Sequence, residues 1–262
     1  MTSGKKARQR RAPAPPPVRS TGGRKASPKV LAVAAVVIAV AAVGAALAFA
    51  LTGGSSSGGS SSTGPTSKLP EAATAVQMFR GIPQHGTVLG SAKAPVTMVE
   101  YIDLQCPVCR AFETDVMPTI VPRYVRTGKV KVLARPIAFI GPDSTTGRRA
   151  ALAAAKQNRF FEFTQLLYFN QGEENSGWLD DSFVRSAYAS IPGFKAQAAL
   201  SARDSAAVAA QTSRLDSQAN ADNVTGTPTV LVGKTGGKLS QVTPGSAPNA
   251  SQLSAAIDAA LG

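Results

Sequence analysis

Apolar and polar residues divide the chain into a tail, one long apolar run, a linker and a folded region. Residues 1–29 are basic and proline-rich, with too few apolar side chains to form a core, which predicts a disordered tail. Residues 30–51 are uncharged and mainly Ala, Val, Leu and Ile. As a helix they would extend about 33 Å, at about 1.5 Å per residue, which is enough to span a bilayer. Residues 52–68 are mostly Gly, Ser and Thr and predict a flexible tether.

Residues 69–262 carry the alternation of strands and helices that is typical of an α/β domain. The apolar, β-branched run at 96–102 predicts a central strand buried on both faces, and 130–137 predict the next strand. A helix between them implies that these two strands pair in parallel. Residues 143–222 have helical spacing, so we expect an inserted helical block, with breaks at 175–177 and 191–193.

The chain returns to strand character near its end. Residues 228–232 and 239–242 predict two short strands, and glycines at 236–237 between them predict a hairpin. The last residues predict an amphipathic helix capped by Asn249 or Ser251.

Much of the high net charge comes from the N-terminal tail. The formal charge is +13, but nine of the 28 Lys and Arg residues and none of the acidic residues lie in residues 1–29. The rest of the chain has an ordinary charge balance, which argues against a nucleic-acid-binding protein. A basic flank before an apolar run places that flank in the cytoplasm. We therefore expect a single-pass protein of the cell membrane, with residues 30–51 as a signal anchor and the folded region outside.

Two alternatives for the N-terminal region remain open. Ala48-Phe49-Ala50 has the small-x-small form of a cleavage site, so residues 30–51 could instead belong to a cleaved signal peptide. The basic tail could also bind anionic lipid head groups. A signal anchor and a cleaved signal peptide would both place the folded region outside the cytoplasm.

The only two cysteines are Cys106 and Cys109, and they follow the predicted central strand. Pro107 suits the first position of a helix, so the pair lies at a strand–helix junction, as in redox motifs. A helix N-terminus stabilises an anion, which predicts a Cys106 pKa below the usual value of about 8.5. Cys109 lies one turn further on and should face the core, where it would act as the resolving thiol.

The two cysteines have two less reactive interpretations. A zinc site needs about four ligands, and His85 is the only histidine, expected on the surface. A purely structural disulfide is also possible, although so short a loop contributes little stabilisation. We expect no metal and no bound cofactor, the redox-active disulfide Cys106–Cys109 being the reactive group.

A second candidate motif is Gly226-Thr227-Pro228-Thr229, just before a predicted strand. Proline can open an edge strand in the trans form, or a cis Thr227–Pro228 bond could form a tight turn. The cis form would leave the Thr227 backbone free to pair with an extended peptide.

Residues 99–112 (VEYIDLQCPVCRAF) and 226–229 (GTPT) closely resemble the DsbA-like thioredoxin-fold family. This resemblance implies an α/β thioredoxin-like fold with an inserted helical domain, preceded here by one transmembrane helix. It also implies that Cys106 is the nucleophile and Cys109 the resolving cysteine. Thr227 and Pro228, together with Pro107 and Val108, are implied to contact substrate.

Further roles follow from the same resemblance. Glu100 matches a partly buried acid to which the family assigns proton transfer near the resolving thiol; an ordinary hydrogen-bonded carboxylate is the alternative. Asp103 is expected to order the loop, and Trp178 to pack in the interior. Val108 stands where strong oxidants of the family carry His, so the Cys106 thiolate is expected to depend mainly on the helix terminus.

The resulting hypothesis is an extracytoplasmic thiol-disulfide oxidoreductase that forms disulfides in exported, thiol-containing proteins. The family implies a quinone-linked membrane partner, DsbB-like or vitamin K epoxide reductase-like, that reoxidises the cysteine pair. A disulfide reductase or isomerase and a non-catalytic peptide-binding module are the alternatives.

Overall fold

The computed structural model describes residues 67–262. The tail, the membrane helix and nearly all of the linker expected in residues 1–68 lie outside this part of the chain. Within residues 67–262 no helix is both long and apolar enough to cross a membrane.

One mixed six-stranded sheet organises the described residues, in the order β1-β2-β4-β3-β5-β6. Strand β3 pairs in parallel with β4 and antiparallel with β5, which confirms the α/β class and the predicted parallel pairing. The strands are β1 (Gln84–His85), β2 (Val88–Leu89), β3 (Val96–Ile102), β4 (Val130–Pro136), β5 (Thr229–Lys234) and β6 (Ser240–Gln241).

Strand β3 lies at the centre because both of its faces are apolar. All seven of its residues are buried, as the sequence predicts. Side chains alternate along a strand, so Met98 and Ile102 join the main core on one face. Val99 and Tyr101 join a smaller cluster on the other face. The even-numbered residues of β3 therefore face the main core, which also contains the two cysteines.

The helix that carries the cysteines is interrupted twice by wider turns. Helix α2 (Pro107–Ala111) leads into a π-helical turn at Phe112–Val116, followed by α3 (Met117–Ile120) and a second π turn at Val121–Val125. Pro118 and Pro122 lack the backbone N–H that a regular helix requires, and wider turns accommodate that loss. The sequence predicts a division at these prolines, and the structure confirms it.

Five helices lie between β4 and β5, which confirms the predicted helical block. The predicted breaks at 175–177 and 191–193 coincide with loops. Two further breaks, at 156–159 and 204–205, were not predicted. The helices are α4 (Pro142–Ala155), α5 (Phe160–Phe169), α6 (Asp181–Ser190), α7 (Ala196–Arg203) and α8 (Ala206–Ala221).

The ends of the described region also follow the sequence pattern. A short helix, α1 (Ala72–Phe79), precedes β1, and the C-terminal hairpin pairs β5 with β6. Helix α9 (Ala250–Leu261) begins with a capping box in which Asn249 and Gln252 each bond the other's backbone. Leu253 and Ile257 of α9 are fully buried in the main core.

Candidate active site

The two cysteines lie at the first turn of α2, directly after the loop that follows β3. Cys106 is the N-cap residue, and the backbone N–H of Cys109 donates to its Sγ at 3.4 Å. Pro107 occupies the first turn, where its missing N–H costs no helical hydrogen bond. Cys106 retains 7% exposure and Cys109 none, so an outside thiol has access to Cys106 alone.

The environment of Cys106 favours the thiolate. Its pKa is lowered to about 6, first because the Cys109 side chain hydrogen-bonds to it. Partial burial opposes this shift. A hydrogen bond with the Thr227 side chain and the backbone N–H groups of Cys109 and Val108 lower the pKa further. The largest single cause is thus the partner thiol, and the helix-terminal amides that the sequence pointed to act in the same direction.

Cys109 is affected in the opposite direction. Burial raises the pKa of its thiol well above the usual value, and the neighbouring Cys106 raises it further. In the reduced protein one sulfur is thus a thiolate near neutral pH, and the other is a protonated thiol that donates to it. With this asymmetry the site can support attack and release at Cys106 and ring closure at Cys109.

Replacing Cys109 should weaken the Cys106 thiolate. In Cys109→Ala the hydrogen bond that lowers the Cys106 pKa most is absent, so we expect the thiolate to titrate above the wild-type value of about 6. Cys109→Ser keeps a donor at the same place and should titrate closer to the wild type. The ultraviolet absorbance of the thiolate, followed against pH, measures the Cys106 pKa in each variant. Equal midpoints for Cys109→Ala and the wild type would contradict the assignment.

The loop before β5 lies against the cysteine pair. The Thr227–Pro228 peptide bond is cis, and the Thr227 carbonyl oxygen lies 3.4 Å from Cys106 Sγ. Beside them is a groove of about 240 Å³ lined by Val108, Thr227 and Pro228 together with residues of the β6 side. Val108 is half exposed at its rim. Of the four residues for which the sequence suggested substrate contact, the groove brings together Val108, Thr227 and Pro228, whereas Pro107 lies in the first turn of α2 and does not line it.

Asp103 holds the loop between β3 and α2 in place. Its Oδ1 accepts from the backbone N–H of Gln105 at 3.0 Å and from the Ser144 hydroxyl at 2.7 Å. Its Oδ2 accepts from the backbone N–H groups of Phe139 at 2.7 Å and Ile140 at 3.2 Å. The residue is completely buried, so these bonds tie the cysteine loop to the start of the helical block.

The helical block supplies further polar contacts to this loop. The amide of Gln171 donates to the carbonyl oxygens of Leu104 at 2.9 Å and Cys106 at 3.2 Å. The Tyr168 hydroxyl donates to the carbonyl oxygen of Asp103 at 3.2 Å. The sequence singles out neither residue, because a Tyr within a helix and a Gln just beyond its end carry no signal of a distant partner.

Glu100 lies on the core-facing side of β3 and is 1% exposed. Burial raises its pKa from 4.5 to about 8. A second buried acid, Glu113, was not anticipated: it is 6% exposed, and its pKa is raised well above the usual value by burial and then by Glu100. Its position four residues after Cys109 puts both on one face of the helix, a spacing that could have revealed it.

The raised pKa of Glu100 predicts a pH-dependent loss of stability. Ionising a carboxyl whose folded pKa exceeds its unfolded one costs free energy, and the cost grows as pH rises from about 4.5 to about 8. Glu100→Gln cannot ionise, so its free energy of unfolding should rise relative to that of the wild type by about 4 kcal/mol between those pH values. Urea unfolding of both reduced proteins at the two ends of this range measures the gain. A constant difference would contradict it.

Other candidate residues lie elsewhere. His85 is exposed in β1, at the sheet edge opposite β6. Trp178 packs edge-to-face on Phe183, with ring centroids 4.9 Å apart. Among residues 67–262 no group of three or more His, Cys, Asp or Glu side chains is arranged to hold a metal ion.

A central β3, a Cys-x-x-C pair at a helix N-terminus and an adjacent cis-proline loop define a thioredoxin-fold protein with a dithiol site. A family model described as Thioredoxin matches residues 84–259. The chain belongs to this family.

Two relatives and one solved structure support this assignment. The chain is 35% identical over 100 residues to the probable disulfide bond formation protein D of Bacillus cereus, covering 37% of this chain and 46% of the relative. It is 30% identical over 151 residues to disulfide bond formation protein D of Bacillus subtilis, which covers 55% of this chain and 66% of that relative. The match therefore spans about half to two thirds of these relatives. The structure of oxidised BdbD from Bacillus subtilis shares the fold, with a TM-score of 0.59 and 24% identity. The match covers 69% of this chain and 97% of BdbD.

Proposed function

We propose that this protein is a thiol-disulfide oxidoreductase that forms disulfide bonds in exported proteins by exchange through Cys106 and Cys109. The observation that carries the proposal is the asymmetry of the two sulfurs. Cys106 is accessible, with a pKa lowered to about 6, whereas Cys109 is buried with a raised pKa. The names of the Bacillus relatives, disulfide bond formation protein D, support the same reaction.

The reaction begins with the oxidised Cys106–Cys109 pair. A thiolate of the substrate attacks Cys106 Sγ, a mixed disulfide forms, and Cys109 leaves as a thiolate that takes up a proton. A second substrate thiolate then attacks the substrate sulfur of the mixed disulfide and expels the Cys106 thiolate. The substrate is oxidised by two electrons and the cysteine pair is reduced by two.

The stabilised Cys106 thiolate sets the direction of this exchange. Any interaction that stabilises the reduced form makes the disulfide a stronger oxidant. Near neutral pH the stabilised thiolate at Cys106 stabilises the reduced form in this way. The groove beside Thr227 and Val108 would hold an extended segment of the substrate, whose backbone can pair beside the Thr227–Pro228 loop. The cysteine pair carries the electrons itself, so the proposal includes no further cofactor.

The proposed location is the outer face of the cell membrane. Residues 30–51 would anchor the protein, residues 1–29 would remain in the cytoplasm, and the domain would face an oxidising compartment. A membrane protein that passes electrons to a quinone, DsbB-like or vitamin K epoxide reductase-like, would reoxidise the pair.

Trapping of the mixed disulfide tests the proposal. The full chain with Cys109→Ser, and with Cys106 held in a mixed disulfide to a small aromatic thiol, should accumulate a covalent adduct with a peptide that contains one thiol. The oxidised wild type should convert a peptide that contains two thiols into its disulfide and release it. Mass spectrometry distinguishes the two products. If the wild type instead reduces disulfide peptides and leaves dithiol peptides unchanged, a reductase or isomerase replaces the oxidase.

A further inference from the structure

Tyr101 contacts both ends of the short segment that carries the cis peptide bond. In the antiparallel ladder of β3 and β5 it is the partner of Thr229, the residue directly after Pro228. Its hydroxyl donates to Asp222 Oδ2 at 2.6 Å, and Asp222 lies directly after the end of α8. Residues 223–228 therefore form a loop that one completely buried tyrosine holds at both ends.

The Asp222 side chain bonds to the sheet and not to helix α8. The C-terminal end of a helix carries a partial negative charge, so a carboxylate at that end is unfavourable for the helix. Instead, Nη1 of Arg135 donates to Asp222 Oδ2 at 2.7 Å. Arg135 also donates to the Tyr101 hydroxyl, and its guanidinium carbon lies 5.2 Å from the centre of the Tyr101 ring. We call these three residues the anchor of the loop.

Strand register explains why the three side chains meet. Arg135 on β4 and Thr229 on β5 are the cross-strand neighbours of Tyr101, so the pairing of β3 with both strands fixes their places. Burial, and then the bond to Asp222, raise the pKa of Tyr101 to about 12, so its hydroxyl keeps a proton to donate. The Arg135 side chain is only 19% exposed, which leaves the ion pair less screened than one on an open surface.

Between its ends the loop reaches the cysteines. Residues 223, 225 and 226 are exposed, and Val224 packs into the smaller core cluster. The course of the loop therefore depends on where Asp222 is held. At the end of this course the Thr227 carbonyl oxygen lies 3.4 Å from Cys106 Sγ.

We propose that the anchor positions the Thr227–Pro228 loop for the backbone of an extended substrate peptide. This inference rests on the proposed function, because it concerns the substrate of the same exchange reaction. Tyr101 is a positioning residue: its side chain lies on the face of β3 opposite the cysteines and acts through the loop. A loop released at one end has to become ordered each time a peptide binds, and this ordering lowers the affinity for the peptide.

Tyr101→Phe in the full chain tests the proposal, because it keeps the ring and removes only the hydroxyl that bonds Asp222. The second-order rate constant for oxidation of a dithiol peptide should fall about tenfold, as expected for the loss of a hydrogen bond to a charged group. The reaction of the Cys106–Cys109 disulfide with 2-mercaptoethanol, a small thiol without a peptide backbone, should be unchanged. The two rate constants together separate a loss of peptide positioning from a loss of reactivity at sulfur.

Asp222→Ala is a second variant, and it keeps the proposal testable if Tyr101→Phe fails to fold, because the Asp222 side chain is 36% exposed. It should cause the same loss with the peptide and none with 2-mercaptoethanol. The double variant should lose no more than Asp222→Ala alone, since both substitutions remove the same bond. Losses that multiply in the double variant would mean that the two side chains act independently, and would overturn the anchor.

Tyr124→Phe is the matched control, because the same three groups recur away from the loop. The Tyr124 hydroxyl donates to Asp258 on α9 at 2.9 Å. Arg123 pairs with Asp258 and lies over the Tyr124 ring, 4.9 Å from its centre. Both rate constants of this variant should match those of the wild type. An equal loss with the peptide in Tyr124→Phe, or no loss in Tyr101→Phe and Asp222→Ala, would overturn the proposal.

Amide hydrogen exchange measures the loop independently of activity. The backbone N–H groups of Asn223 and Val224 donate to carbonyl oxygens near the end of α8, so release of the loop exposes them. Their exchange should become about tenfold faster in Tyr101→Phe and Asp222→Ala and stay unchanged in Tyr124→Phe. Unchanged exchange in all three variants would overturn the anchor. If the wild type oxidised no dithiol peptide, the proposed function would fail, and the amide exchange would still decide whether the anchor holds the loop.

Discussion

Cys106→Ser should reduce the exchange activity of the protein to the uncatalysed background, a loss of roughly 10³-fold or more. Cys106 is the only sulfur that an incoming thiol can reach, because Cys109 is completely buried. Serine fills the same N-cap position and can still accept from the backbone N–H of residue 109, so the fold should persist. The rate of oxidation of a dithiol peptide measures the effect.

The control for this variant is its stability. Circular dichroism and thermal unfolding should match those of the reduced wild type, which separates loss of the nucleophile from loss of the fold. Retention of substantial oxidation by Cys106→Ser would contradict the account and would favour a peptide-binding module whose cysteines are incidental.

Asp103→Ala should strongly destabilise the protein, lowering the free energy of unfolding by about 3 kcal/mol. The substitution removes a buried carboxylate that accepts four hydrogen bonds, and it leaves the backbone N–H groups of Phe139 and Ile140 without their acceptor. Bonds to a charged acceptor are stronger than neutral ones, which explains the size of the effect. Urea unfolding of the reduced proteins provides the measurement.

Asp115→Ala is the matched control for that measurement. Asp115 is an exposed carboxylate near the same helix, and its hydrogen bond comes from the adjacent Thr114. Its loss should change stability by no more than about 0.5 kcal/mol. Similar losses in the two variants would mean that the Asp103 bonds do not secure the loop.

The sequence predicts the framework around the site well, because each signal is local. Seven apolar residues in Val96–Ile102 predict a strand buried on both faces, and Pro107 predicts the start of a helix after it. Asn249 is one of two residues expected to cap the last helix, and it does so. The break after α4 was missed, because Asn158 adopts a left-handed conformation with φ of 55° where no Gly or Pro marks the end of the helix.

The interactions that tune the site could not be predicted, because they join residues far apart in the chain. Asp103 is bound by Phe139, Ile140 and Ser144, which reach it only once β4 and α4 are in place. The effect of Glu100 on the Glu113 pKa requires a strand and a helix to pack with both carboxyls inward. The contribution of the Cys109 thiol to the Cys106 pKa likewise depends on side-chain geometry and not on sequence spacing.

The redox equilibrium of the Cys106–Cys109 pair with glutathione, measured on the full chain, tests the central claim most directly. The stabilised Cys106 thiolate predicts a reduction potential well above that of thioredoxin, which is about −270 mV. A potential at or below that value would contradict the oxidase and would make the protein a reductase.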